Sequence, residues 1–189
     1  MRTGHAVMLY LINLGRKLLN KLSLLSTDRR AWGLLFVSAL CLEISALYFQ
    51  YVMDLRPCIM CIYQRTAVFG IMFAAMPAML VNNLITRIVG YTGWGISAIW
   101  GLLIAIEHVD IQTAVNPFFA TCEFVPNFPS WIPLHEWLPN IFGATGDCGD
   151  INWSFMDMTM PQWMIMIFAI YSAILGVMLT SRILVKRGL

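Results

Sequence analysis

Charge is what this chain has least of. Only 12% of its 189 residues are charged and 59% are hydrophobic, with a mean hydropathy of +0.73. Soluble domains carry roughly 25% charge, so the composition excludes a soluble globular domain and fits one integral membrane unit. No nucleotide-binding motif and no haem-ligand pair is present. Covalent c-type haem is excluded too, because Ile62 stands where a His must follow a Cys-x-x-Cys pair. There is no internal repeat and no low-complexity tract. None of the 13 methionines pairs with His in a Met-x-x-Met array, so they read as core filler rather than copper ligands.

What charge there is has a clear distribution. Residues 1–30 hold Arg2, Arg16, Lys17, Lys21, Arg29 and Arg30. Leu9, Ile12, Leu19, Leu22 and Leu25 recur among them near helical spacing, which predicts a basic amphipathic helix on an anionic membrane surface. A signal peptide is set aside, since charge breaks the apolar runs and no small-x-small cleavage site follows. Four apolar runs come next: about Ala31 to Phe49, Tyr63 to Val81, Ile88 to Ile106 and Gln162 to Ser181. Each is long enough to cross most of a ~30 Å hydrocarbon core at ~1.5 Å per residue. Glu43 is the only acid in the first; it is either paired within the bundle or active in proton uptake, and the sequence leaves both open. Pro77 marks a potential kink in the second. Gly90, Gly93, Gly95 and Gly101 in the third allow close helix packing.

A polar stretch over 107–161 separates the third and fourth runs and holds six of the eight prolines. Trp131, Ile132, Leu134, Trp137 and Leu138 suit a short segment lying in the interface. The expected organisation is therefore a basic N-terminus over 1–30, one four-helix membrane domain over 31–181 including the 107–161 loop, and a basic tail over 182–189. Ten of the twelve Lys and Arg fall on one side of these spans. The positive-inside rule then predicts cytoplasmic termini, with Cys58, Cys61, Cys122 and Cys148 on the opposite side. The expected fold is an all-α membrane protein, a four-transmembrane-helix bundle with a long disulfide-bearing periplasmic loop.

The chemistry concentrates in Cys58-Ile59-Met60-Cys61, just after Pro57. Such a pair forms an easily exchanged disulfide, and a helix N-terminus favours thiolate over thiol. Arg65 lies one turn beyond Cys61 on the same helical face. An arginine that deep in an apolar run is functional by default. Two structural disulfides are the bland alternative, but a Cys-x-x-Cys loop is too short for much entropic gain. A zinc site from Cys58, Cys61, Cys122 and Cys148 fails on spacing, since the second pair is far apart in sequence. Outward disulfides that exchange by thiolate attack instead suggest electron flow from Cys122–Cys148 to Cys58–Cys61. The simplest acceptor within a membrane is a lipid-soluble quinone. Arg65 is placed to stabilise negative charge on its oxygen or on Cys61. Cys41 reads as an inert buried thiol, and His5 and His135 as solvated.

These residues bring out a resemblance. Leu42-Glu43, Ala46-Leu47, Phe49-Gln50 and Pro57-Cys58-x-x-Cys61-Ile62-Tyr63-x-Arg65 are followed by Glu107-His108 and Pro117-Phe118-x-Ala120-Thr121-Cys122. Trp131-x-Pro133-Leu134, Gly146-Asp147-Cys148 and Met160-Pro161-Gln162-Trp163 come after, in order. Over about 29–181 the chain resembles the bacterial disulfide bond formation protein B family. The longer basic N-terminus departs from that pattern, and no function is attached to it. The resemblance implies an inner-membrane enzyme that reoxidises a periplasmic thioredoxin-like oxidase (DsbA-like) and passes two electrons to ubiquinone or menaquinone. It implies that Cys122 forms the mixed disulfide with that partner, that Cys148 resolves it and exchanges with Cys58, and that Cys61 faces the quinone with Arg65 assisting. His108 matches a position near the quinone; an interfacial histidine is the alternative. No nucleic-acid or metal partner is expected. A DsbI-like paralogue with a dedicated partner, and a non-catalytic tetraspan scaffold, are the rival functions. A vitamin K epoxide reductase-like enzyme would carry its Cys-x-x-Cys pair late in the chain rather than at the second span.

Overall fold

The computed structural model describes residues 17, 20, 24–25, 27–114 and 125–186. Most of the expected amphipathic N-terminus, Cys122 and the last residues of the tail lie outside the described residues. Four long helices form the described body: α1 (Arg29–Tyr51), α2 (Ile59–Leu80), α3 (Leu84–Thr113) and, after the loop, the last helix, Met160–Lys186. All four are long and apolar enough to cross a membrane. Between α3 and the last helix lie two single turns, α4 (Leu134–Trp137) and α5 (Pro139–Phe142). A two-residue-strand hairpin follows, β1 (Ser154–Phe155) with β2 (Met158–Thr159), and the last helix is numbered α6.

The helix boundaries follow from local chemistry. The Asp28 carboxylate accepts from the Arg30 N–H at 3.0 Å and caps α1. Asn83 and Thr86 cap each other's backbone at the start of α3. Helix α2 starts at Ile59, ahead of the expected Tyr63, because Cys58 itself is the N-cap. Helix α3 runs past the expected Ile106 to Thr113. At ~1.5 Å per residue its 30 residues span about 45 Å, well beyond the hydrocarbon core. The polar segment Glu107–Thr113 contains no Gly or Pro, so nothing stops the helix where the apolar run stops.

The bundle packs α1 on α2, α2 on α3 and α3 on α6. Helix α2 is the most enclosed. It meets its neighbours through small side chains: Ala67, Ala75 and Ala78 on α2 and Ala98 and Ala105 on α3 are all fully or almost fully buried. Gly93 sits on Ala74, and Gly90 lies against the Trp32 ring and the Ala74 carbonyl. Without lipid-excluding hydrophobic drive, such close backbone approach is how membrane helices gain dispersion energy. Trp32 meets the Tyr91 ring at a tilt, at a centroid distance of 4.9 Å, and the Trp94 ring edge-on at 6.3 Å. A hydrogen bond of 2.9 Å between Ser38 and Tyr171 ties α1 to α6.

The outer faces are apolar as well. Leu34, Val37, Ile44, Ile96, Leu103, Ile170 and Ile174 are all exposed, as a lipid solvent requires. Cys41 lies on this outward face of α1, which corrects the expectation of a buried thiol. A hydropathic run does not tell a core-facing from a lipid-facing position. At one end of the bundle the α2–α3 turn is tied to the start of α1, since the Asn82 side-chain amide donates to the Thr27 carbonyl. The opposite end carries the Cys-x-x-Cys turn, α4, α5 and the hairpin. Met156 and Asp157 form the hairpin's two-residue turn with φ of 54° and 59°, as a type I′ connection needs. Trp131, just before α4, and Trp137, its last residue, both expected in the interface, are exposed.

Gly101 of α3 makes a tight helix contact, where an added Cβ would run into the Phe168 ring of α6. Gly101→Ala is expected to cost roughly 1–3 kcal/mol by overpacking. Gly176→Ala, which would meet nothing within 4 Å, is expected to leave stability unchanged or slightly raised. Thermal unfolding of both variants in detergent checks this; equal midpoints would mean that the α3–α6 contact gives freely.

Candidate redox site

The site is assembled around the first turn of α2. Cys58 is extended, and the chain turns helical at Ile59. The Cys61 N–H donates to Cys58 Sγ at 3.4 Å, so the sulfur itself satisfies one of the helix's free donors. The two sulfurs lie 3.0 Å apart. The loop after α5 closes over this turn: the Thr145 and Gly146 N–H groups both donate to the Pro57 carbonyl, at 2.9 and 3.0 Å. Gly146 is required there, because a Cβ would strike the Arg56 carbonyl. That closure brings Cys148 down onto Cys58 and Ile59 in a small buried cluster. Cys148 is disulfide-bonded, whereas Cys58 and Cys61 are free thiols. Cys58 is almost fully buried. Its side-chain hydrogen bond with Cys61, and then burial, push its thiol well above the ordinary range, so it keeps its proton.

His108 reaches the same sulfur from α3. Its Nε2 lies 3.5 Å from Cys58 Sγ, and its Nδ1 lies 3.2 Å from the Gln64 amide nitrogen. The imidazole is only 3% exposed, a position that an interfacial histidine would not take. The extra turns of α3 beyond Ile106 are what carry it there. Gln64 was not singled out from the sequence. The signal that marks it is an amide inside an apolar run, one place before Arg65.

Arg65 is buried and ties three segments together. Its Nη1 donates to Gln50 Oε1 of α1 at 2.8 Å and to the Ile141 carbonyl of α5. Its Nε lies 3.9 Å from Glu43 Oε2, with both side chains about 5% exposed. Gln50 and Tyr51 in turn donate to the Asn140 carbonyl at 2.9 and 2.6 Å. Glu43 is thus paired within the bundle, one of the two roles left open above. Neither of its oxygens has a hydrogen-bond partner among the described residues. The Arg65 charge also acts on Cys61.

A cavity of about 310 Å³ opens beside these groups. Its lining includes Glu43, Gln50, Cys58, Cys61, Arg65 and His108 together with Phe49, Trp153, Trp163 and Met164. Of the expected site residues, Cys58, Cys61, Arg65 and His108 converge on this cavity and Cys148 packs with Cys58 and Ile59. Cys122 lies outside the described residues. The arrangement sets a dithiol against a third cysteine, Cys148, at the edge of an apolar cavity bordered by the buried Arg65.

Comparison with known proteins agrees with this chemistry. Residues 28–178 match the family described as disulfide bond formation protein DsbB. A disulfide bond formation protein B of Pseudoalteromonas atlantica is 66% identical over 168 residues, covering 89% of this chain and 98% of that protein. Its namesakes in Psychromonas ingrahamii and Pseudoalteromonas translucida are 49% and 48% identical, over 94% and 90% of this chain and 96% and 100% of theirs. The family name, the four apolar helices and the cysteine geometry fit a multi-pass membrane disulfide oxidoreductase, and the chain belongs to the disulfide bond formation protein B family.

Proposed function

We propose that this protein oxidises a DsbA-like thioredoxin-fold partner in the periplasm and delivers the two electrons to a membrane quinone. The observation that carries the reading is the packing of Cys148 on Cys58 while Cys61 lines an apolar cavity beside Arg65. The residues there fit a quinone. The walls are aromatic and apolar, while Arg65 and His108 offer donors to carbonyl oxygens. Glu43 holds two buried oxygens that lack hydrogen-bond partners among the described residues. Ubiquinone and menaquinone meet the same requirements.

The exchange balances as follows. A partner thiolate attacks Cys122 of a Cys122–Cys148 disulfide, and Cys148 leaves as thiolate. Cys148 attacks Cys58 Sγ, the Cys58–Cys61 bond breaks, and its electron pair passes to the Cys61 sulfur. The second partner thiol attacks the partner sulfur bound to Cys122, so that the partner leaves as its own disulfide and Cys122 is released as thiolate. Arg65 stabilises the charge on Cys61. A quinone held in the cavity beside Cys61, Arg65 and His108 would supply the oxidising equivalent as an acceptor of two electrons and two protons. The Cys122 thiolate attacks Cys148 Sγ, which restores Cys122–Cys148 and releases Cys58 as thiolate; Cys58 and Cys61 then re-form their disulfide by giving up the two electrons to that acceptor. The decisive experiment is quinone reduction by the purified protein supplied with a reduced thioredoxin-like donor; no reduction would refute the reading.

Three further outcomes are expected. A DsbA-like protein lacking its resolving cysteine should be trapped as a mixed disulfide through Cys122, and capture through Cys58 would reverse the assigned roles. The charge distribution puts the termini in the cytoplasm and the cysteines in the periplasm, within a membrane domain over 31–181. Reporter fusions at Asn83 and Asn140 should then give cytoplasmic and periplasmic signals respectively; identical signals refute this orientation. Arg65→Lys keeps the charge but loses the planar fork that reaches Gln50 and Ile141. It should lower the unfolding midpoint, since hydrogen bonds to charged groups are worth about 1.5–3 kcal/mol each. It should also raise the quinone KM or lower kcat. Unchanged kinetics in a destabilised variant would reduce Arg65 to a structural anchor.

A further inference from the structure

We propose that the reduced site is also a zinc site, formed by Cys58 Sγ, Cys61 Sγ and His108 Nε2, with a fourth position open to the cavity. The zinc set weighed from the sequence used all four loop cysteines. The folded chain offers a different set, because Cys148 is held in a disulfide while His108 comes in from α3. The three donor atoms lie within 4.8 Å of one another.

The geometry suits this ion. Zinc–sulfur bonds of about 2.3 Å and zinc–nitrogen bonds of about 2.0–2.1 Å, at tetrahedral angles, put sulfur and nitrogen about 3.5 Å apart and two sulfurs about 3.8 Å apart. Cys58 Sγ and His108 Nε2 are already 3.5 Å apart. The two sulfurs, at 3.0 Å, must separate by roughly 0.8 Å. Cys61 borders the cavity, so its side chain has room to turn.

The second sphere is present as well. A zinc-bound histidine ordinarily has its other ring nitrogen hydrogen-bonded, which fixes the tautomer. Gln64 is already beside Nδ1 at 3.2 Å. With its amide turned to present the carbonyl, Nδ1 carries the proton and the Nε2 lone pair is free for the ion. Entry is through the cavity, which Cys58, Cys61 and His108 all border.

Binding is an acid–base event, not a redox one. Two thiols release two protons to solvent, two zinc–sulfur bonds form, and zinc keeps its oxidation state. The oxidised pair has no thiolate to offer. The ion therefore selects the reduced chain and holds both sulfurs away from disulfide formation. Bound zinc would act as a brake on the oxidising cycle at this centre.

The test uses the full chain in lipid nanodiscs, reduced and freed of reductant, with Cd²⁺ as an optical probe and Zn²⁺ as competitor. One Cd²⁺ per chain with a thiolate charge-transfer band is expected, displaced by Zn²⁺ and absent from the oxidised chain. The band should persist in a chain carrying Cys41→Ser, Cys122→Ser and Cys148→Ser. Its loss there would overturn the proposal in favour of a site on the other cysteines. Gln64→Leu should weaken binding by about 10–100-fold, and His108→Ala by at least as much. Unchanged affinity in His108→Ala would refute the third ligand. X-ray absorption of the zinc-loaded wild-type chain needs no variant. It should show two sulfurs at about 2.3 Å and one nitrogen at about 2.0–2.1 Å, and a shell without nitrogen or without sulfur overturns the site. None of these readouts requires quinone turnover, so they stand or fall apart from the proposed function.

Discussion

A guanidinium inside an apolar bundle is the constraint on which one end of this molecule depends. Taking an ion out of water costs several kcal/mol even after relaxation, so Arg65 must be met by partners. Its own helix supplies none of those described. Gln50 and Glu43 come from α1, and the Ile141 carbonyl comes from α5. Meeting the charge therefore folds the loop back onto the bundle. Gln50 and Tyr51 reinforce this by donating to the Asn140 carbonyl. Phe142, the residue after Ile141, is buried and packs its ring on Phe69 of α2.

The same folding back places the chemistry. With the loop seated, the Pro57 carbonyl receives two N–H donors from Thr145 and Gly146, and Cys148 is delivered onto Cys58. Beneath, the Ala and Gly contacts of α2 with α3 bring the backbones close enough for His108 to reach the same sulfur. Cys58 thus sits between a histidine from one side and a cysteine from the other, while Cys61 faces the cavity. A dithiol so placed presents one sulfur to the loop cysteine and the other to the cavity. That division of surfaces is what the proposed electron path requires.

Much of this was legible in the chain. The four spans, the role of the glycines in α3 and the inward Arg65 follow from scarcity of charge in an apolar run, because lipid penalises any polar group without a partner. The ends of helices were less legible. Hydropathy reports where lipid begins, whereas a helix stops where its hydrogen bonds stop. Helix α2 therefore started ahead of Tyr63, and α3 ran on through Glu107–Thr113. Cys41 shows the complementary failure. Every face of a membrane helix is apolar, so periodicity does not reveal which face is the core, and this thiol lies outward. Gln64 escaped notice for a similar reason, since its importance lies in the His108 ring it touches on another helix.

The sequence by itself determined the solvent this chain lives in, the number of its spans and the redox character of Cys58–Cys61. Composition, run length and i, i+3 spacing are properties of one segment at a time, and these features depend on nothing else. The tertiary structure decided which long-range partners meet. Glu43 with Arg65, His108 with Cys58 and Cys148 against Cys58 each join residues far apart in the chain. Their meeting depends on helix–helix packing and on a buried charge that recruits its partners from other segments, and no local pattern encodes either.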